Sequence, residues 1–176
     1  MCHVVVVDGS SIGRYQTEKI KEGDGPIVTG LETFLSDGFI ALDKGGIMLT
    51  EWLEAVGASN HHKANLQTWV GDLMVVGRIR LGDLGPDRNL TKQLKNLGVR
   101  GRDQKYISAA KQFGAYAIVS DDADMFDPKL KSQSPKTRAK ALSQRKGCVC
   151  DFVRKNLNVN VTPIDQICSV VPRCQT

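Results

Sequence analysis

Val4-Val5-Val6-Val7-Asp8-Gly9-Ser10-Ser11 is the stretch on which the reading of the chain turns. Four β-branched residues without polar alternation have the composition of a strand covered on both faces of a parallel sheet, and Gly9-Ser10-Ser11 ends the run. Asp8 therefore falls at the C-terminal edge of a central strand. In an open parallel sheet, that edge is where ligands bind.

The same alternation continues downstream. Leu31, Phe34 and Leu35 keep helical spacing until Asp37-Gly38, and Phe39-Ile40-Ala41-Leu42 predicts a second strand ending at Asp43. A helix carrying Ile47, Glu51 and Trp52 is expected from the Gly45-Gly46 turn to Val56, then another on Leu66, Trp69, Leu73 and Val76. Leu90, Leu94 and Leu97 give a short helix closed by Gly98. Asp103, as N-cap or first-turn residue, opens a helix on Tyr106, Ile107, Ala110 and Phe113 closed by Gly114. Tyr116-Ala117-Ile118-Val119-Ser120 predicts a strand that runs into Asp121-Asp122-Ala123-Asp124. Ser134-Pro135 caps a short helix, residues 148–157 give another, residues 159–161 a terminal strand, and Thr162-Pro163 caps a last turn. Strands alternating with helices predict an α/β fold, a three-layer α/β/α sandwich with a mostly parallel central sheet. At 176 residues, a single domain over 1–176 is expected.

Composition narrows the functional classes. With 41% hydrophobic and 24% charged residues the chain is neither a disordered tail nor a membrane span, and no apolar run approaches the ~20 residues a spanning helix needs. The start lacks the basic region and cleavage site of a secretory signal, so a cytoplasmic protein with no membrane partner is expected. Cys2, Cys148, Cys150, Cys168 and Cys174 include no C-x-x-C pair and suggest neither a disulfide framework nor a zinc site. His61, His62, Cys148 and Cys150 offer four nitrogen and sulfur ligands on paper, but C-x-C is tighter than zinc knuckles use. Reduced thiols are the simpler expectation.

The net charge of +5 is concentrated. Lys129, Lys131, Lys136, Arg138, Lys140, Arg145 and Lys146 lie in one stretch without an acidic residue, and they exceed the whole net charge. Such a patch attracts a polyanion by counterion release, with a solvated helix face as the alternative. Arg78, Arg80, Arg100 and Arg102 form a second, looser basic group.

Asp8 and Asp122 stand at strand ends, and Glu51 and Asp103 lie in helices able to face the same edge. Carboxylates converging on one crevice repel unless a divalent cation offsets them, and an all-oxygen donor set suits Mg²⁺ or Mn²⁺. The run Val-Val-Val-Val-Asp8-Gly-Ser10, then Asp43-x-Gly-Gly-x-x-x-x-Glu51-Trp52, Asp103-x-x-x-Ile107-x-x-Ala110, and Ile118-Val119-Ser120-Asp121-Asp122-x-Asp124-Met-Phe126 resembles the PIN-domain nucleases. The resemblance extends from residue 4 to about 126, with residues 159–167 fitting the last strand and closing turn.

It implies a Rossmann-like fold and a metal-dependent endoribonuclease acting as toxin, defence effector or RNA-processing factor. By position it makes Asp8, Glu51, Asp103 and Asp122 the catalytic metal ligands for Mg²⁺ or Mn²⁺, with Ser10 and Ser120 orienting the first and fourth acids. Glu54 competes with Glu51, and Asp124 with Asp122. The basic segment at about 129–146 then looks like an insertion that grips RNA, or DNA. A homo-oligomer or a regulatory protein partner is compatible with the family.

Two other classes remain open. A non-catalytic nucleic-acid-binding module of the same fold would keep the basic segment and leave the acids structural. A phosphoryl-transfer protein would use Asp8 as nucleophile, but its pattern wants a second Asp where Ser10 stands. His3, His61 and His62 lie outside the acidic motifs, so no histidine base is indicated, and Trp52, Trp69 and Phe126 are candidates for a base-stacking platform.

Overall fold

The structure, a computed structural model, describes residues 3–172. In chain order its elements are β1 (Val4–Val7), α1 (Gly9–Glu22), α2 (Pro26–Leu35), β2 (Phe39–Asp43), α3 (Ile47–Ala55), α4 (Asn60–Val75), β3 (Ile79–Gly82), α5 (Arg88–Asn96), α6 (Gly101–Phe113), β4 (Ala117–Val119), α7 (Ala123–Phe126), α8 (Pro135–Gln144), α9 (Cys148–Leu157), β5 (Asn160–Thr162) and α10 (Ile167–Val170). Short 3-10 turns cover Pro128–Ser132 and Ile164–Gln166. The strands form one sheet in the order β3-β2-β1-β4-β5, every neighbouring pair parallel.

Val5, Val6 and Val7 are all fully buried although successive strand residues point to opposite faces, so both faces of β1 are covered. This is the α/β, three-layer arrangement expected of an unbroken apolar strand. The chain builds β1, β2 and β3 outward on one side, then crosses to β4 and β5 on the other. The order reverses between β1 and β4, and at such a switch point the two C-terminal strand ends open a crevice.

Carboxylates at the strand ends start the helices that follow. Asp8 accepts from the Ser11 N–H at the head of α1, and Asp43 accepts from the Ile47 and Met48 N–H groups at 2.9 and 2.8 Å, fixing α3. The Trp52 Nε1–H donates to the Val7 carbonyl at 3.0 Å and ties α3 to the end of β1. Trp52 and Phe126 are fully buried, and the partly buried Trp69 packs between Tyr15 and Trp52 at ring separations of 4.8 and 6.4 Å. Trp52 and Phe126 are therefore core residues and offer no stacking platform, whereas Trp69 keeps a partly exposed face.

Asp103 sits in the first turn of α6, whose N-cap is Arg100. The segment after α7 leaves and returns at one point. Asp127 accepts from the Lys129 N–H at 2.9 Å and, through its other oxygen, from the Cys148 N–H at 3.5 Å. Gly147 closes the excursion so tightly that a Cβ there would stand 2.1 Å from the Phe126 carbonyl oxygen. The basic segment is thus a loop-out made of the 3-10 turn Pro128–Ser132 and α8, packed mainly on α7.

Candidate active site

A cleft of about 230 Å³ lies at the switch point, lined by Asp8, Gly9, Ser10, Glu51, Glu54, Ala55, Arg102, Asp103, Tyr106 and Asp122. Asp8, Glu51, Asp103 and Asp122 come from the end of β1, from α3, from α6 and from the N-cap of α7. The chain brings all four to one cavity. Gly9 and Gly13 let α1 close on α3: a Cβ at Gly13 would stand 3.1 Å from the Ala55 carbonyl oxygen.

Asp8 is the most enclosed of the acids. The Ser10 hydroxyl donates to its Oδ1 at 2.6 Å, the Ser11 N–H donates to the same oxygen at 3.1 Å, and the Ser120 hydroxyl donates to Oδ2. Burial pushes the Asp8 carboxyl up to about 7, with the donors from Ser10, Ser120 and Ser11 opposing only part of that rise. Ser120 also accepts from the Asp122 N–H at 3.2 Å, so one hydroxyl connects the first and fourth acids.

Asp103 is raised to about 6 by burial and then by repulsion from Asp122, with Arg100 relieving some of it. Asp122 caps α7 by accepting from the Asp124 N–H at 3.0 Å. Among the described residues Asp8, Asp103 and Asp122 form no ion pair.

Glu51 differs from the other three. Its Oε1 accepts from Arg102 Nε at 2.7 Å and from Lys105, and its Oε2 accepts from the Tyr106 hydroxyl at 2.7 Å. Partial burial alone would raise its carboxyl, but the donors from Lys105, Tyr106 and Arg102 outweigh that and hold it below its ordinary value. Glu54, one turn on, pairs with Arg102 from the exposed side.

Asp124 does not line the cleft. It is buried and paired with Arg100 at 2.5 Å. Asp121 is bound by the Ser11 hydroxyl at 2.6 Å and by Arg14, which locks α1 to the end of β4. Among the described residues no three His, Cys, Asp or Glu side chains already stand in a metal-holding arrangement. That includes His61 and His62 with Cys148 and Cys150, and burial pushes the Cys150 thiol up to about 12. Cys2 and Cys174 lie outside the described residues.

Sequence reasoning gave Tyr106 and Lys105 no part in the site and placed Arg102 only in a loose basic group. One signal was present: Asp103 and Tyr106 are three apart on one helix, hence on one face. The basic segment adjoins the cleft, since α8 packs on α7 and the charges of Lys131 and Arg138 act on Asp124. No helix among the described residues is long and apolar enough to cross a membrane.

No family model and no curated protein matches the chain. It is similar to a chain in the crystal structure of VapBC2 from Rickettsia felis bound to a DNA fragment from its promoter, at 18% identity over 73% of this chain and 91% of that one, with a TM-score of 0.46. A similarity of that size assigns no function.

Proposed function

We propose that the protein is a metal-dependent endoribonuclease whose chemistry resides at Asp8, Asp103 and Asp122. The observation that carries this reading is their position: three carboxylates from separate elements line one cleft at the switch point, and none has a protein cation as ion-pair partner among the described residues. An all-oxygen set, in which Asp122 repels Asp103, suits Mg²⁺ or Mn²⁺ by its donor chemistry. Such an ion would supply a bound water of lowered pKa and offset charge on the phosphoryl oxygens.

The remaining residues position these acids. Ser10 and Ser120 hold both Asp8 oxygens, which prevents the carboxylate from turning away from the cleft. Glu51, fixed by Lys105 and Tyr106, holds Arg102 in the cleft wall, where its guanidinium can meet an incoming phosphate. The basic excursion supplies Lys129, Lys131, Lys136, Arg138, Lys140, Arg145 and Lys146 as cations for the nucleic-acid backbone.

The test is cleavage of labelled RNA and DNA in the presence of Mg²⁺ or Mn²⁺, with Asp8→Asn alongside. Cutting of RNA to 5′-phosphate and 3′-hydroxyl ends, lost in Asp8→Asn, is the expected result. Products with 2′,3′-cyclic phosphates, or full activity of Asp8→Asn, overturn the reading. A non-catalytic nucleic-acid-binding module is the second reading, and it draws on the absence of a preformed metal-holding trio among the described residues. RNA binding without cleavage in any divalent metal would establish it.

A further inference from the structure

Beyond the cleft, the structure has a second polar hollow of about 480 Å³, lined by Gln144, Arg145, Lys146, Asp151, Arg154 and Asn160. It is built from three separate pieces: the end of α8 and the turn after it, one face of α9, and the first residue of β5. Three cations face one carboxylate there. Arg145, Lys146 and Arg154 enter no ion pair among the described residues, although Asp151 and Arg154 lie three apart on α9. Arg145 is one of two non-glycine residues among those described that hold a left-handed backbone, at φ 52°, a conformation its Cβ disfavours. That turn, followed by the close approach of Gly147 to Phe126, fixes the direction in which the chain re-enters the fold beside α9.

We propose that this hollow seats a phosphate of the nucleic-acid backbone, with Arg145, Lys146 and Arg154 as its ligands, while Asn160, whose side-chain amide donates to the Tyr116 carbonyl at 3.4 Å, forms part of its wall. This rests on the nuclease reading only for what lies at the other end of the strand. A guanidinium pair and an ammonium around an open hollow suit a phosphate, which accepts from several directions and can take a fork of two N–H groups from each arginine. The position defines a path. Arg138, whose charge acts on Asp124 beside the cleft, is seven residues before Arg145, about 10 Å along a helix. A single strand entering the cleft and following α8 would therefore reach the hollow a few nucleotides from the cutting site. Arg154 extends the gripping surface beyond the basic excursion onto the body of the domain.

The test uses the full chain carrying Asp8→Asn, so that RNA stays intact, and measures binding of fluorescein-labelled single-stranded oligoribonucleotides of increasing length as a function of salt. Arg154→Gln is compared with Lys155→Gln, which removes the same charge from the neighbouring position of α9 outside the hollow. Arg154→Gln is expected to weaken binding of the longer oligomers several-fold, to lower the log–log salt slope by about 0.7, and to leave the shortest oligomers unaffected. Lys155→Gln is expected to leave the slope unchanged. Equal effects of the two variants, no effect of either, or a weakening independent of oligomer length overturns the proposal. Titration with inorganic phosphate alone separates the sources: Arg154-dependent phosphate binding without any change in RNA binding makes the hollow a small-anion site and also overturns it. Because nothing here depends on cleavage, failure of the nuclease reading would appear as intact RNA in the wild-type reaction and would leave this result standing.

Discussion

The acid cleft and the basic excursion hold opposite charge side by side, yet among the described residues no ion pair joins them. Around the cleft, carboxylates with local work are already neutralised: Asp121 by Arg14, Asp124 by Arg100, and Glu51 by Arg102 and Lys105. Asp8, Asp103 and Asp122 are not. In the excursion none of the seven cations has an ion-pair partner among the described residues, whereas Arg78 donates to the Ser36 carbonyl and Arg80 lies 4.1 Å from the centre of the Phe39 ring. On the proposed reading, these two unpaired sets meet external partners of opposite sign. A polyanion on α8 and a cation among the acids would satisfy both, with α7 as the shared wall.

The largest effect expected from this division is on cleavage. Asp8→Asn and Asp122→Asn should each reduce RNA cutting to background while the metal-free protein melts no lower than wild type, because Asn caps a helix about as well as Asp and removes a buried charge at Asp8 and the repulsion of Asp103 at Asp122. Unfolding of either variant would make that acid structural. Next in size is binding: Lys136, Arg138 and Lys140 changed together to Gln should weaken RNA association and flatten its salt dependence by roughly 0.7 to 0.9 in slope for each phosphate no longer neutralised. An unchanged slope would make the excursion a solvated loop.

Asp43 sharpens the contrast from the other side, since its oxygens are used up on the Ile47 and Met48 N–H groups. Asp43→Ala should cost about 1–2 kcal/mol in chemical denaturation, in the range of a lost helix cap. A further contrast concerns pH. Asp8 and Asp103 have folded pKa values raised to about 7 and about 6, so their protonated forms favour the native state. Their contribution is complete below about pH 4 and is lost as pH rises toward 7. In chelator the melting temperature of wild type should therefore fall more across that interval than that of Asp8→Asn; parallel curves would show that Asp8 is not strained.

β1, β2 and β4 were legible because each is an unbroken apolar run, and their ends showed where Asp8 and Asp122 would lie. β3 was not, because it is the sheet edge and carries the exposed Arg80 and the half-exposed Leu81. Residues 12–22 of α1 gave no helix signal either: two glycines and three Ser or Thr residues dilute Gly9–Glu22, which is held by the Asp8 cap and by packing on α3. Asp8, Asp103 and Asp122 could be placed from strand ends and a first turn, positions that local sequence defines. The donors to Glu51 reach it across more than fifty residues, through the packing of α6 beside α3, and no local spacing announces that.

The most direct test of the division is a titration of melting temperature with Mn²⁺ on wild type, Asp122→Asn and the Lys136/Arg138/Lys140 glutamine variant. A cation that binds only the folded cleft raises the melting point with its concentration. Wild type and the triple variant should rise together while Asp122→Asn stays flat. A rise in Asp122→Asn equal to that of wild type, or no rise in wild type, would contradict the assignment of the unpaired acids to a metal.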